Sequence, residues 1–410
     1  MQKQLAIGYQ QSCGISRARL FRTMQKLSGY NERLFRVVTE KDYGAREASL
    51  CLPDDLHILR ESEYVRSRVA NNELKYVILV GIGGSSLGTE ALYNASFGHY
   101  DAIDPTRKPQ LIVLDTIDPL FAKKLSAFLQ SHVHHPDDFV VNVVSKSGGT
   151  METQLNMQWL LQQLQRRFKC IEQRLVITTD ADSRLATYAK QRGMHLLTIP
   201  KQVGGRFSVF STVGLFPLSL LGIDTRELRA GARDMRNKCL RTPITKNIAA
   251  LSASVLFLQR RAGKFIHDTF LFAPALESLG KWYRQLLAES IGKKPSAGIT
   301  PTISIGSTDL HSIAQLTFAG PQHTMTTFVT HGERRASLTA IENGVQRAYT
   351  HAKLPFMEIV LPNSSPYSLG QFLQFKMLEV MYLGHLFGIN AFNQPAVELY
   401  KKEVRKILAK

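Results

Sequence analysis

Cysteine is scarce in this chain. Four occur in 410 residues, Cys13, Cys51, Cys170 and Cys239. They are widely scattered and form no CxxC pair, so they offer neither a zinc ribbon nor a disulfide framework and suit a reducing cytoplasm. Long apolar runs are missing as well. The longest, Val209 to Ile223, covers about 15 residues and is broken by Gly214 and Pro217, short of the ~20 that a membrane-spanning helix needs. The N-terminus, MQKQLAIGYQQSCG, lacks the continuous apolar stretch of a secretory signal. A Walker GxxxxGK[ST] sequence, an RNP or KH pattern and a two-cysteine-two-histidine finger are all absent.

Acidic residues are the scarcer charge: 33 Asp and Glu against 51 Lys and Arg leave a formal +18. Such an excess attracts anions in general, whether nucleic acid, membrane surface or small metabolites. The excess is diffuse, its densest runs being Arg166-Arg167, Arg260-Arg261, Lys293-Lys294 and the terminal KKEVRKILAK. None is a block of about five or six like charges, so solvated surface is the ordinary reading and neither nucleic acid nor a membrane is expected as partner.

With 44% hydrophobic and 20% charged residues, the chain has the composition of an ordinary globular protein. Its length predicts two or three domains at roughly 150 residues each. Residues 1–55 read as a polar, helical N-terminal segment. From there the texture changes. KYVILVGIGGSSLG, LIVLDTIDP, FVVNVVSKSGGT and RLVITTDADS each join a buried strand to a turn and a helix-like stretch, which predicts βαβ units and a parallel sheet with ligands at the strands' carboxyl ends. Further on, KFIHDTFLFAP, TPTISIG, HTMTTFVTH and FMEIVLP read as strands between helices. The expected fold is therefore α/β with two lobes, 56–225 and 226–410, each a mainly parallel sheet flanked by helices, the second ending in a C-terminal helix.

VSKSGGTMET is the most informative segment. Ser145, Ser147 and Thr150 offer hydroxyls, Gly148 and Gly149 allow close backbone approach, and Met157, Leu160, Leu161 and Leu164 mark the buried face of the helix that follows. Such a helix start cradles phosphate; a plain strand-to-helix turn has the same texture. GIGGSSLG, residues 81–88, is not a dinucleotide fingerprint. Its third glycine is replaced by Ser86, and Asp115 closes the next strand 34 positions after Gly81 where about 20 is expected. Two Gly/Ser loops without a Walker motif point to a phosphate on a small molecule, with no nucleotide cofactor.

Arg206, in VGGRFSVF, sits before an apolar stretch. A buried guanidinium needs an anion, either a carboxylate partner or a developing oxyanion. In LGKWYRQLLAESIGK, Leu279, Trp282, Tyr283 and Leu286 mark one helix face and Glu289 continues it. A carboxylate there suits general-base work, unless the helix ends and it points to water. Glu277 lies in the near-copy ESLGK, and spacing does not choose between the two glutamates. His311, after STD, is either a proton shuttle or a satisfied polar side chain. SHVHHPDD places three histidines in one short loop, without the i, i+4 arrangement of a metal site, and no metal is expected. NQPAVELYKKEVRKIL reads as a helix with Asn393 near its cap and Pro395 in its first turn; Lys401 lies on its Val397, Tyr400, Val404, Ile407 face, snorkelling or facing an anion, with Gln394 on the same side.

Taken in order, GIGGSSLG, SKSGGTMET, VGGRFSVFSTVGL, QLLAESIGK, STDLHSIAQ and FNQPAVELYKK resemble the glucose-6-phosphate isomerase family in its shorter bacterial form, from about residue 75 to the C-terminus. The resemblance implies two sugar-isomerase (SIS) lobes, a homodimer, no cofactor, and conversion between glucose 6-phosphate and fructose 6-phosphate through a cis-enediol. By motif, Gly84, Ser85, Ser145, Lys146, Ser147 and Thr150 would hold the phosphate. Glu289 would move the proton between C1 and C2, Arg206 would stabilise the enediolate, His311 and Lys401 would assist ring opening, and Gln394 would contact substrate. It also selects Glu289 over Glu277. Gly149 departs from the family, which more often has a hydroxyl residue there, and the +18 charge exceeds what the family leads one to expect. Extension to mannose 6-phosphate, and a non-catalytic SIS-type sugar-phosphate regulator, are the competing expectations.

Overall fold

The computed structural model describes residues 4–408 apart from 11, 105, 242 and 333–334. Its strands in chain order are β1 (Ala6–Gly8), β2 (Tyr76–Val80), β3 (Gln110–Leu114), β4 (Phe139–Val144), β5 (Leu175–Thr179), β6 (His195–Thr198), β7 (Ile266–Leu271), β8 (Thr300–Ile305), β9 (Thr324–His331) and β10 (Phe356–Leu361). The chain divides into two compact units, residues 41–230 and residues 1–40 with 231–410.

The unit of residues 41–230 holds a parallel sheet ordered β3-β2-β4-β5-β6. Central strands of a parallel sheet are covered on both faces and tolerate no polar alternation; YVILV, FVVNVV and LVITT are accordingly buried at every position. Alternate residues supply the two faces. Ile78, Val80, Val141, Val143 and Ile177 pack with Leu125, Leu129, Leu160 and Leu164 from helices 119–132 and 151–165. Val77, Val140 and Val176 pack with Val65, Val69, Phe216 and Leu220 from helices 56–69 and 212–220. The long apolar run of the sequence is thus the buried helix Thr212–Leu220 with its entry and exit. In strand order the sheet reads 2-1-3-4-5, so it reverses direction between β2 and β4, where ligands of open α/β sheets bind beyond the carboxyl ends.

The other unit holds β1-β10-β9-β7-β8, parallel except for β1, which runs antiparallel to β10 through Ala6↔Val360 and Gly8↔Glu358. One face is an aromatic core of Phe270, Phe272, Phe328, Tyr349 and Phe356. The opposite face carries a buried polar knot. Lys376 and Glu379 pair at 3.0 Å with both side chains fully buried, and Glu379 also accepts from Tyr283 Oη at 2.6 Å and from Ser252.

The α/β architecture with two mainly parallel sheets is the one expected. β1 and β6 escape the sequence reading, since both are short and lie at sheet edges. The four cysteines are unbridged. Among the described residues no helix is long and apolar enough to cross a membrane, and no group of three or more His, Cys, Asp or Glu is placed to hold a metal ion. Two of the SHVHHPDD histidines have local contacts: His135 caps a short turn by accepting Asp137 N–H at 3.2 Å, and His132 stacks on Phe128.

Candidate active site

β2 and β4 are adjacent parallel strands, and each opens directly into one of the two Gly/Ser loops. After β2 the chain makes a tight turn through Gly83–Ser85 and enters helix 87–97. Gly84 packs flat on the Gly205–Arg206 peptide: a Cβ there would stand 2.5 Å from the Arg206 amide nitrogen, closer than real atoms come. Ser208 Oγ ties the same two segments through the Gly205 carbonyl at 2.7 Å and the Gly84 carbonyl at 3.4 Å. The Arg206 side chain is 2% exposed, a buried cation beside the first loop.

After β4, Ser145 is buried and donates from Oγ to Thr150 Oγ1 at 3.1 Å. Gly149 N–H donates to Ser147 Oγ at 3.2 Å, closing the loop upon itself. The next strand braces this loop: Thr179 Oγ1 donates to the Ser145 carbonyl at 2.6 Å and Asp180 N–H to that of Lys146 at 3.1 Å. Thr150 occupies the cap of helix 151–165 without spending its hydroxyl on a capping bond, and Thr153 Oγ1 in the first turn is buried without a hydrogen-bond partner among the described residues. Amides and hydroxyls at the first turn of a helix are groups suited to an anion. Lys146 Nζ donates to the Lys201 carbonyl at 2.6 Å, and burial pushes its ammonium below its usual value, with Asp180 opposing.

In the other unit, Glu289 lies in the last turn of helix Glu277–Ile291, half-buried, its Oε1 accepting from Gln285 Nε2 at 3.0 Å. Glu277, in the near-copy, is paired at the opposite end with Lys281 at 2.8 Å. Lys293 Nζ donates to the Glu289 carbonyl at 2.5 Å and also to the Asn393 carbonyl. That brings the segment containing Gln394 to the end of the Glu289 helix. His311 ends a short turn after β8 and is exposed; Asp309 fixes the turn by accepting from Ile305 N–H at 2.6 Å. Lys401 pairs with Glu398 at 3.3 Å. Pro395 does not enter the final helix. It opens a separate turn, Pro395–Val397, because Gln394 is not helical there (φ −150°, ψ 63°), and the helix runs Glu398–Leu408. On the helix face that carries the apolar residues, Tyr400 and Ile407 are exposed and Val397 and Val404 half-buried.

A family model described as phosphoglucose isomerase matches residues 59–321, a span that includes both loops, Arg206, Glu289 and His311. The chain belongs to the phosphoglucose isomerase family. Phosphoglucose isomerase relatives include a glucose-6-phosphate isomerase of Carboxydothermus hydrogenoformans, 31% identical with 84% of this chain and 81% of that protein covered. One of Thermus thermophilus is 33% identical, with 87% and 89% covered. Among solved structures, a hypothetical protein from Thermus thermophilus superposes with a TM-score of 0.85 at 30% identity, over 99% of this chain and all of that one. The glucose-6-phosphate isomerase of Chlamydia trachomatis, at 22% identity, shares the fold with a TM-score of 0.76 over 88% of this chain and 75% of its own.

Sequence reasoning misses two residues within the phosphoglucose isomerase motifs. Gln285 stands one helical turn before Glu289, a spacing visible in QLLAE once a glutamate is chosen. Lys293 closes the ESIGK motif, but its reach to Asn393 spans 100 positions of sequence and no local pattern announces it.

Proposed function

We propose that this phosphoglucose isomerase interconverts D-glucose 6-phosphate and D-fructose 6-phosphate, as part of glycolysis and gluconeogenesis, with roles divided as follows. The substrate phosphate occupies the cradle of Gly84, Ser85, Ser145, Lys146, Ser147 and Thr150. What supports this reading is that both loops follow adjacent strands at the sheet's reversal point, with the Ser145 and Thr150 hydroxyls in contact in the second loop and Lys146 next in sequence. His311 and Lys401 assist opening of the sugar ring. Glu289 takes the proton from one carbon of the C1–C2 pair and returns it to the other, and Arg206 stabilises the negative oxygen of the enediolate in between. The reaction is proton transfer alpha to a carbonyl, so a base and a cation placed for the developing charge suffice, and neither electrons nor atoms are exchanged with a cofactor.

Gln285 fits the same scheme by holding the Glu289 carboxylate in one orientation. Gln394 contacts substrate hydroxyls. The working form is a homodimer in the cytoplasm, which sedimentation of the purified chain tests for its oligomeric part. The activity is tested by following glucose 6-phosphate formation from fructose 6-phosphate through a coupled dehydrogenase, with and without chelator. Turnover insensitive to chelation is expected; none from well-folded protein would overturn the reading.

A further inference from the structure

Helix Glu277–Ile291 ends at Gly292, where a Cβ would stand 2.7 Å from the Ala288 carbonyl oxygen. A residue without a side chain lets the chain turn tightly here: Gly292 N–H donates to Ala288 O at 2.9 Å and Lys293 N–H to Ile291 O at 2.8 Å. The turn swings the Lys293 side chain back across the helix end. Its ammonium meets the Glu289 carbonyl at 2.5 Å, one of the last-turn carbonyls that lack helical partners and sit at the negative end of the helix dipole. The same ammonium is bonded to the Asn393 carbonyl, which directly precedes Gln394 and opens the segment leading to Lys401.

That segment is thinly packed. From Asn393 to Tyr400 every residue except Val397 is exposed, and Leu399 is 72% exposed. Side-chain burial therefore supplies little of its fixation, and a two-armed, charge-assisted contact to the base helix weighs correspondingly more. We propose that Lys293 is a positioning residue, fastening the segment of Gln394 and Lys401 to the helix end that presents Glu289. The proposal rests on the isomerase reading for its kinetic consequence and on geometry alone for the fastening. A displacement of the order of 1 Å in substrate-positioning groups costs on the order of a hundredfold in rate.

The test compares Lys293→Met and Lys293→Arg with the full-length chain, by steady-state kinetics with fructose 6-phosphate and by hydrogen exchange of the peptides covering 392–408. In Lys293→Met, exchange across 393–400 is expected to quicken and kcat/KM to fall roughly tenfold to a hundredfold. Lys293→Arg, which keeps a charged donor, is expected to recover most of both. If the methionine variant does not fold, Lys293→Gln gives the same readouts. Exchange unchanged in the folded variant overturns the fastening, whatever the activity. Faster exchange with wild-type kcat/KM overturns the positioning role. An inactive wild-type chain would count against the proposed function, while the exchange measurement would still decide the fastening.

Discussion

Gly84 and Arg206, 122 positions apart in sequence, lie back to back: a Cβ on Gly84 would stand 2.5 Å from the Arg206 amide nitrogen. The loop after β2 and the turn carrying the buried guanidinium are therefore packed directly against each other.

Gly84→Ala is expected to separate them. Relief requires backbone displacement, because the atoms met are main-chain atoms of residues 205 and 206. Overpacking of this kind costs roughly 1–3 kcal/mol, and the loss of kcat/KM should exceed that expected from reduced folding alone. Thermal melts and kinetics on the same preparation check this; a variant with wild-type kcat/KM would show that the close approach is dispensable.

Gly149→Ser is expected to behave oppositely. A Cβ there finds only Ser147 Oγ, at 3.8 Å, and the site is exposed. The change adds a hydroxyl to the loop without crowding. Stability should be unchanged and KM for fructose 6-phosphate equal or lower by up to about tenfold, one neutral hydrogen bond's worth. A rise in KM would mean that the extra hydroxyl disrupts the cradle.

Alkaline pH should weaken substrate binding through Lys146. Burial lowers its pKa from the usual 10.5, with Asp180 opposing, so in the free protein the ammonium discharges as pH rises through that depressed value. Phosphate binds the charged form, and KM therefore climbs on the alkaline side; Lys146→Met should raise KM at neutral pH and remove that limb. For folding, a lysine depressed in the native state makes the unfolded chain the tighter proton binder. Its contribution to stability consequently grows as pH rises from the native value toward 10.5.

Lys376→Met tests the buried polar knot. The variant leaves Glu379 fully buried without its cation, a change that typically costs about 3–5 kcal/mol. Urea midpoints should fall accordingly. An unchanged midpoint would show that Tyr283 and Ser252 satisfy Glu379 on their own.

Much of the fold was legible because the central strands are buried on both faces and read as unbroken apolar runs, as in YVILV and FVVNVV. The edge strands β1 and β6 carried no such signature. Arg206 and Ser145 could be singled out from local texture, one as a cation among apolar neighbours and the other as the first hydroxyl after a strand. Lys293 could not, since its meaning depends on a carbonyl 100 residues away. In the final helix, periodicity records only that apolar residues share a side; Val397 and Val404 on that side are half-buried, while Tyr400 and Ile407 are exposed.

The most direct test of the central claim is the Glu289→Gln variant, assayed for glucose 6-phosphate formation from fructose 6-phosphate and for fructose 6-phosphate binding by calorimetry. The neutral amide keeps the shape of the carboxylate and removes the base. Turnover should fall by roughly 10²–10⁴-fold, the usual worth of general-base catalysis, while binding stays within a few-fold of wild type. Wild-type turnover in a folded Glu289→Gln protein would contradict the account.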